Sequence, residues 1–309
     1  MYKIGKYYYL MAAEGGTEYG HMITYARSES VWGKFEGYPH NPVLTNRNKA
    51  PFIIQGIGHG DLIQDKNGEW HIICLGFRQI HMWMTYHHLG RECFLIPVTF
   101  HEDGWFTAGN GTCEESYELS GDFAQLPLKT YTLENIGHDI CHLRHPHAEN
   151  YSITKDKITL KGTDVTLDDV ASPTFAGVRQ RDFDMDCSVS VSVSDGEGGL
   201  TVYSCETEHY DLALRKNEAG YEAILRLNIG GIRHIEKTVQ IPSGNAKLVI
   251  RSDSQVYKFF VQSQGEEIPM GFAMSKYLSS EVCGGFTGTV IGMYAVKGSA
   301  EFTDLRISY

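Results

Sequence analysis

The sequence predicts an all-β chain in two units, a group of short radial sheets followed by an antiparallel β-sandwich. Three observations carry this reading. Turns are dense, with 33 glycines against 9 prolines, a balance suited to many short strands joined by tight bends. Apolar residues alternate at period two through most of the second half, as they do on strands buried on one face. No stretch spaces its apolar residues as a helix face would.

A chain of 309 residues accommodates two domains of ~100–200 residues each. All four tryptophans (Trp32, Trp70, Trp83, Trp105) and twelve of the fourteen histidines precede residue 148, whereas Val, Ser and Thr alternation dominates afterwards. Gly109-Asn110-Gly111-Thr112 and the acidic, aperiodic residues 114–121 read as a connector. The expected units are therefore residues 1–118 and 119–309.

Within the first unit one small pattern occurs three times, two apolar runs around a charged Gly turn. The copies span residues 2–13 (turn Lys3-Ile4-Gly5-Lys6), 61–77 (Asp65-Lys66-Asn67-Gly68) and 94–106 (His101-Glu102-Asp103-Gly104). An aromatic follows each turn (Tyr7, Trp70, Trp105), as expected if each hairpin belongs to one blade of a radial array. A plain antiparallel sheet would produce the same spacing. In the second unit, strands are expected at 188–193, 200–205, 210–215, 221–228, 232–239, 247–252, 257–263 and 289–296, with turns at 217–220, 230–231 and 243–245.

The charge balance narrows the function classes. With 27 basic and 38 acidic residues the net charge is −11, and no Lys/Arg cluster exceeds a pair, so the footprint of a nucleic-acid binder is missing. The apolar run at 7–13 is short, Tyr-rich and closed by Glu14, unlike a signal peptide or membrane helix; a cytoplasmic protein is expected. Seven scattered cysteines without a CxxC pair suggest reduced thiols filling the core rather than a disulfide frame or zinc site.

Several multi-residue strings occur in an order that resembles glycoside hydrolase family 43, in its β-xylosidase/α-L-arabinofuranosidase branch. They begin with Tyr9-Leu10-Met11-Ala12-Ala13-Glu14-Gly15-Gly16-Thr17-Glu18-Tyr19-Gly20-His21 and continue through Ala26-Arg27-Ser28, Pro39-His40-Asn41-Pro42-Val43-Leu44, Gly58-His59-Gly60-Asp61-Leu62 and His87-His88-Leu89-Gly90-Arg91-Glu92. Later come Glu149-Asn150-Tyr151-Ser152, Ser172-Pro173-Thr174-Phe175, His209-Tyr210-Asp211-Leu212-Ala213-Leu214 and Gly284-Gly285-Phe286-Thr287-Gly288, similar to that branch's C-terminal module. The resemblance implies part of a five-bladed β-propeller followed by a concanavalin-like sandwich.

It also implies the chemistry. An inverting glycosidase protonates the leaving oxygen with one carboxyl group while a second carboxylate activates water at ~6.5–9.5 Å separation. In the family, an Asp base, a tuning Asp and a Glu general acid do this work, and the acid stands in a Glu-Gly-Pro-His stretch that aligns just before Met1. The expectation is thus an N-terminally truncated propeller without the catalytic set, inactive alone, with substrate in the class of xylo- or arabino-oligosaccharides. An alternative class is a non-catalytic carbohydrate-binding or assembly protein, or a half-enzyme complemented by an N-terminal fragment; an unclosed sheet edge would favour self-association.

The site residues follow from the same alignment. Arg91 is expected to hydrogen-bond sugar hydroxyls, which its fixed fork of donors suits; the plain alternative is a surface Arg paired with Glu92. His59, flanked by Gly58 and Gly60, matches an axial His near a hydrated calcium or other ion, although a lone His is ordinarily a hydrogen-bonded core residue. Thr17 is carried over as a substrate-lining position and Phe286 as a loop aromatic that closes the pocket or simply anchors packing. Glu14 is read as a structural carboxylate accepting backbone N–H bonds in a Gly-rich bend. His138, His142, His145 and His147 have metal-like spacing but read as a solvated loop. Asp304 is the nearest match to a sandwich calcium ligand in a stretch that departs from the family's ending. No cofactor is required, and calcium is the ion the resemblance admits.

Overall fold

The computed structural model describes residues 1–50, 52–80, 85–118 and 127–309. Trp83 and the expected boundary after residue 118 lie outside or at the edge of the described residues. The chain divides into one unit of Met1–His87 and Arg91–Leu126 and a second of His88–Gly90 and Pro127–Tyr309. Strands dominate both, and among the described residues no helix is long and apolar enough to cross a membrane.

The first unit holds β1 (Tyr2–Ile4), β2 (Tyr7–Glu14), β3 (Met22–Ser28) and β4 (Glu36–Gly37) in one antiparallel sheet, and β5 (Ile54–Gln64), β6 (Trp70–Arg78), β7 (Glu92–Phe100) and β8 (Phe106–Ala108) in another. The three expected hairpins all form, but the second and third are neighbours in the same four-stranded sheet. The repeat is therefore two sheets rather than three. The error has a simple cause: a meander of four strands contains more than one Gly-turn hairpin, and each looks alike in sequence. The two sheets share a core of Tyr9, Ile23, Tyr25, Ile57, Leu62, Ile72, Ile96 and Phe106. Tyr25 stacks on Phe106 at 3.9 Å between ring centres, and its hydroxyl donates to the Phe106 carbonyl at 2.7 Å. A buried aromatic that also spends its polar tip gives both area and direction to the packing.

The second unit is a sandwich. One sheet contains β9 (Tyr131–Thr132), β10 (Tyr151–Ile153), β11 (Ile158–Gly162), β13 (Met185–Val193), β18 (Asn245–Ser252), β19 (Val256–Ser263), β20 (Glu266–Met274) and β22 (Gly298–Ser308). The other runs β12 (Thr174–Arg179), β21 (Val290–Val296), β14 (Glu197–Cys205), β15 (Glu208–Asn217), β16 (Gly220–Ile229) and β17 (Ile232–Ile241). Every expected strand of this half is present. The strands not foreseen are β9 to β12, β20 and β22, together with a single-turn helix, α1 (Ser280–Cys283).

Alternation explains the layers. On β15, Tyr210, Leu212 and Leu214 enter the inter-sheet core, while His209, Asp211 and Ala213 face the other way. That outer face is covered too: Leu167 packs there with Phe175, Tyr203, Ile224 and Tyr294. The six-stranded sheet is therefore buried on both sides at its centre, and its outward charges are enclosed.

Candidate functional site

In the first unit the polar side chains gather around Arg91. Its guanidinium donates to the Thr17 carbonyl at 2.7 Å and to Glu18 Oε1 at 2.8 Å, and contacts His87 Nε2 at 2.7 Å. The ring of His87 stacks on Phe77 at 3.8 Å, Arg91 lies 4.8 Å from the Phe77 ring centre, and Tyr19 meets Phe77 edge-on. Aromatic faces beside a guanidinium hold its plane while leaving its edge for hydrogen bonds. The Arg91 side chain is only 9% exposed, whereas its Glu18 partner is 54% exposed.

The expected fallback pairing of Arg91 with Glu92 does not occur. Glu92 binds Arg78 with both oxygens, at 3.0 Å from Arg78 Nε. Arg91 precedes β7 and turns to the loop after β2, while Glu92, the first residue of β7, meets Arg78 at the end of the neighbouring β6. Thr17 and Glu18 reach Arg91 because the loop after β2 closes tightly. Gly15 and Gly16 have φ of 78° and 80°, and a Cβ on Gly15 would fall 1.9 Å from the Gly20 carbonyl. Only glycine fits that crossing.

Next to this cluster stands His21, a buried imidazole whose Nδ1 donates to the Gly56 carbonyl at 3.0 Å. Burial lowers its pKa, and the charges of His59 and Arg91 push the same way against the Gly56 bond. His21 packs against Gly58, where any Cβ would lie 2.3 Å from the ring. His59 itself is exposed, at φ 51° in a stretch where β5 slips register against β6. A non-glycine residue in that conformation carries local strain. Sequence reading singled out Arg91 and Thr17 but passed over Glu18, His87, Phe77 and His21 beside them; His59, also singled out, is exposed next to the Gly58 that His21 packs against. The four-residue separation of His87 and Arg91 and the bare Gly58 were the available signals.

The other candidates lie elsewhere. Phe286 belongs to the second unit and is half exposed on a loop whose Gly284, Gly285 and Gly288 all have positive φ. Asp304, also at positive φ, sits in a bulge of β22 opposite β13 and accepts hydrogen bonds from Ser190 at 3.1 Å and Thr303 at 3.4 Å. Glu14 accepts a bond from the Thr24 hydroxyl at 2.7 Å rather than from turn amides, because it ends β2 beside β3 instead of entering the bend. His142 bonds the Phe175 carbonyl at 2.9 Å, and His145 and His147 touch edge to edge.

Among the described residues two groups of three donors could hold an ion: Asp65, Glu69 and His71, and Cys205, Glu208 and Cys283. Neither includes His59, Asp304 or any of the four loop histidines. Nor are the cysteines mostly core filler: Cys74, Cys113 and Cys187 are buried, Cys141, Cys205 and Cys283 only partly, and Cys93 is exposed.

The second unit encloses an ionic network. His209 contacts Asp211 at 2.9 Å and Asp168 at 3.1 Å. Arg226 donates to Asp211 at 2.9 Å, to Glu197 at 2.6 Å and to the Tyr294 hydroxyl at 3.1 Å. Burial alone would lower the His209 pKa, but Asp211 and Asp168 outweigh it and push it up to about 9. Burial likewise opposes ionisation of Asp211, yet His209 and Arg226 hold its carboxyl well below the usual range. The donors here are matched to the fully buried Asp211 and to the partly buried Asp168 and Glu197, the pattern of a structural network.

Two family models match the chain, each over most of one unit. Residues 1–106 match the glycosyl hydrolases family 43 model, and residues 129–306 match the β-xylosidase C-terminal concanavalin A-like domain. The chain is 37% identical over 308 residues to a non-reducing end α-L-arabinofuranosidase of Bacteroides ovatus, covering 95% of this chain and 58% of the relative. It is 28% identical over 313 residues to a xylosidase/arabinosidase of Butyrivibrio fibrisolvens, covering 96% and 60%. The chain thus spans about three fifths of these relatives' length. Among solved structures, Bacteroides ovatus xyloglucan PUL GH43B superposes with a TM-score of 0.87 at 36% identity, over 99% of this chain and 64% of that one. A xylan β-1,4-xylosidase from Bacillus halodurans gives 0.89 at 26% identity, over 100% and 64%. Two four-stranded sheets of propeller type, a concanavalin-like sandwich and these matches lead to one conclusion: the chain belongs to glycosyl hydrolase family 43.

Proposed function

We propose that this chain supplies the substrate-positioning part of an inverting exo-glycosidase that removes terminal β-xylosyl or α-L-arabinofuranosyl units from short xylan-derived oligosaccharides. The observation that supports this most is Arg91, held by Phe77, His87 and the Thr17 carbonyl while its ionic partner, Glu18, stays open to solvent. A sugar hydroxyl can displace an exposed carboxylate at small cost, because such pairs contribute only ~0–1 kcal/mol. Thr17 lines the same position, Phe286 is assigned to sugar contact, and His59 is assigned to an axial ion such as calcium. Asp304 is a weaker calcium candidate, since it already accepts two hydroxyl bonds and joins no three-donor group among the described residues.

Hydrolysis needs two carboxyl groups at ~6.5–9.5 Å across the sugar. Glu18 is the carboxylate bonded to Arg91, and among the described residues no second carboxylate joins it as a hydrogen-bond partner of Arg91. We assign the acid and base to the part of the relatives' length that this chain does not span. The 309-residue chain should then bind sugar weakly and turn over little, which also keeps the carbohydrate-binding reading in play. Aryl β-xyloside and aryl α-L-arabinofuranoside assays on the purified chain, with size-exclusion chromatography for self-association, test this. Turnover near that of full-length relatives would overturn the assignment.

A further inference from the structure

We infer that Cys205, Glu208 and Cys283 form a binding site for one thiophilic divalent cation of the zinc class. The fold assembles this site from two distant segments. Cys205 ends β14 and Glu208 opens β15 across a two-residue turn, and these two residues are register partners beside a bulge. Cys283 is the last residue of α1. The two sulfurs and a Glu208 oxygen all lie within 4.8 Å of one another. Tetrahedral zinc, with Zn–S of ~2.3 Å and Zn–O of ~2.0–2.2 Å, sets its ligand atoms ~3.5–3.8 Å apart, so only small side-chain shifts are needed.

The Glu208 environment supports the same reading. This carboxylate is 5% exposed, and among the described residues its hydrogen-bond partners include no Lys, Arg or His: they are the Cys205 sulfur at 2.7 Å, the Thr207 hydroxyl at 2.5 Å and the Gly230 amide at 3.0 Å. Buried carboxylates are ordinarily paired with a cation or a metal. Here a metal completes the set. Partial exposure of both cysteines leaves an entry path and a fourth position for water. Binding replaces two S–H protons: the dication enters, both thiols become thiolates, and two protons leave to solvent. Because Gly284 follows Cys283 directly, the bound ion would fasten the root of the loop that carries Phe286 to the turn between β14 and β15.

The test uses the full chain, reduced and metal-free, titrated with Co²⁺ and then Zn²⁺. One Co²⁺ per chain with a sulfur-to-cobalt charge-transfer band is expected, displaced by Zn²⁺, and affinity should fall about 100-fold per pH unit of acidification because two protons compete. Cys205→Ser and Cys283→Ser should each abolish the band, Glu208→Gln should weaken binding about 10-fold or more, and Cys93→Ser and Asp65→Asn should leave it intact. Circular dichroism of the metal-free variants checks folding, and either cysteine variant alone suffices if the other fails to fold. The inference is overturned if the reduced protein shows no sulfur band, if the band survives in a folded Cys205→Ser or Cys283→Ser variant, or if the two thiols only form a disulfide and take no metal.

Discussion

Arg91 in the first unit and Arg226 in the second are both largely buried guanidiniums flanked by carboxylates, yet their partners differ in kind, and the proposed function turns on that difference. Arg226 spends its fork on Asp211, which is fully buried, and on Glu197 and Tyr294. Arg91 is fixed by the Phe77 ring, the His87 imidazole and a backbone carbonyl, and meets its carboxylate at the solvent edge. The contrast shows that burial of an arginine says little by itself. What separates a structural group from a binding group is whether its partners can be exchanged.

The largest effect should come from breaking the sandwich network. Arg226→Ala or Asp211→Asn strands a buried partner and should cost about 3–5 kcal/mol, read as a lower urea midpoint with unchanged slope. Arg91→Ala should cost less, about 1–2 kcal/mol, because its ionic partner Glu18 is already solvated. If both arginines proved equally costly, the contrast between them would fail.

The next effect is on function. Under the proposed function, in a full-length protein that contains this chain, Arg91→Ala should lower kcat/KM about 100-fold, and Arg91→Lys should not restore it, because a point charge lacks the planar fork. Rescue by lysine would reduce the role to charge alone.

pH separates the units in opposite directions. The folded-state pKa of His209 is raised from the ordinary 6.5 to about 9, so its contribution is complete below pH 6.5 and lost as pH rises through about 9. His21 is shifted the other way, so the first unit holds its contribution above pH 6.5 and loses it as acidification passes the lowered pKa. Hydrogen exchange should show β15 loosening first in alkali and β3 first in mild acid. The smallest effect is at Glu18: Glu18→Gln should change stability by about 1 kcal/mol at most, with a modest change in sugar affinity.

Much of the sandwich was legible because period-two alternation marks a strand buried on one face. His209 and Asp211 are the informative exception: they alternate correctly, but polar residues at those positions read as solvent-facing, and only the cover over the outer face, where Leu167 packs, shows that they are buried. Arg91 and His59 were singled out through the family strings, not through periodicity. Glu18 and His87 were missed because their meeting depends on the closed loop at Gly15 and Gly20. Cys205 and Cys283 escaped spacing rules altogether, since the fold, not the chain order, brings them together.

The most direct test of the division between the two arginines is xylose and arabinose binding by the 309-residue chain, followed by NMR at millimolar sugar, with wild type and Arg91→Ala compared at matched stability. Weak binding by the wild type that is lost in Arg91→Ala is the predicted result. Binding that survives the substitution would contradict the assignment of Arg91 as the sugar-facing group.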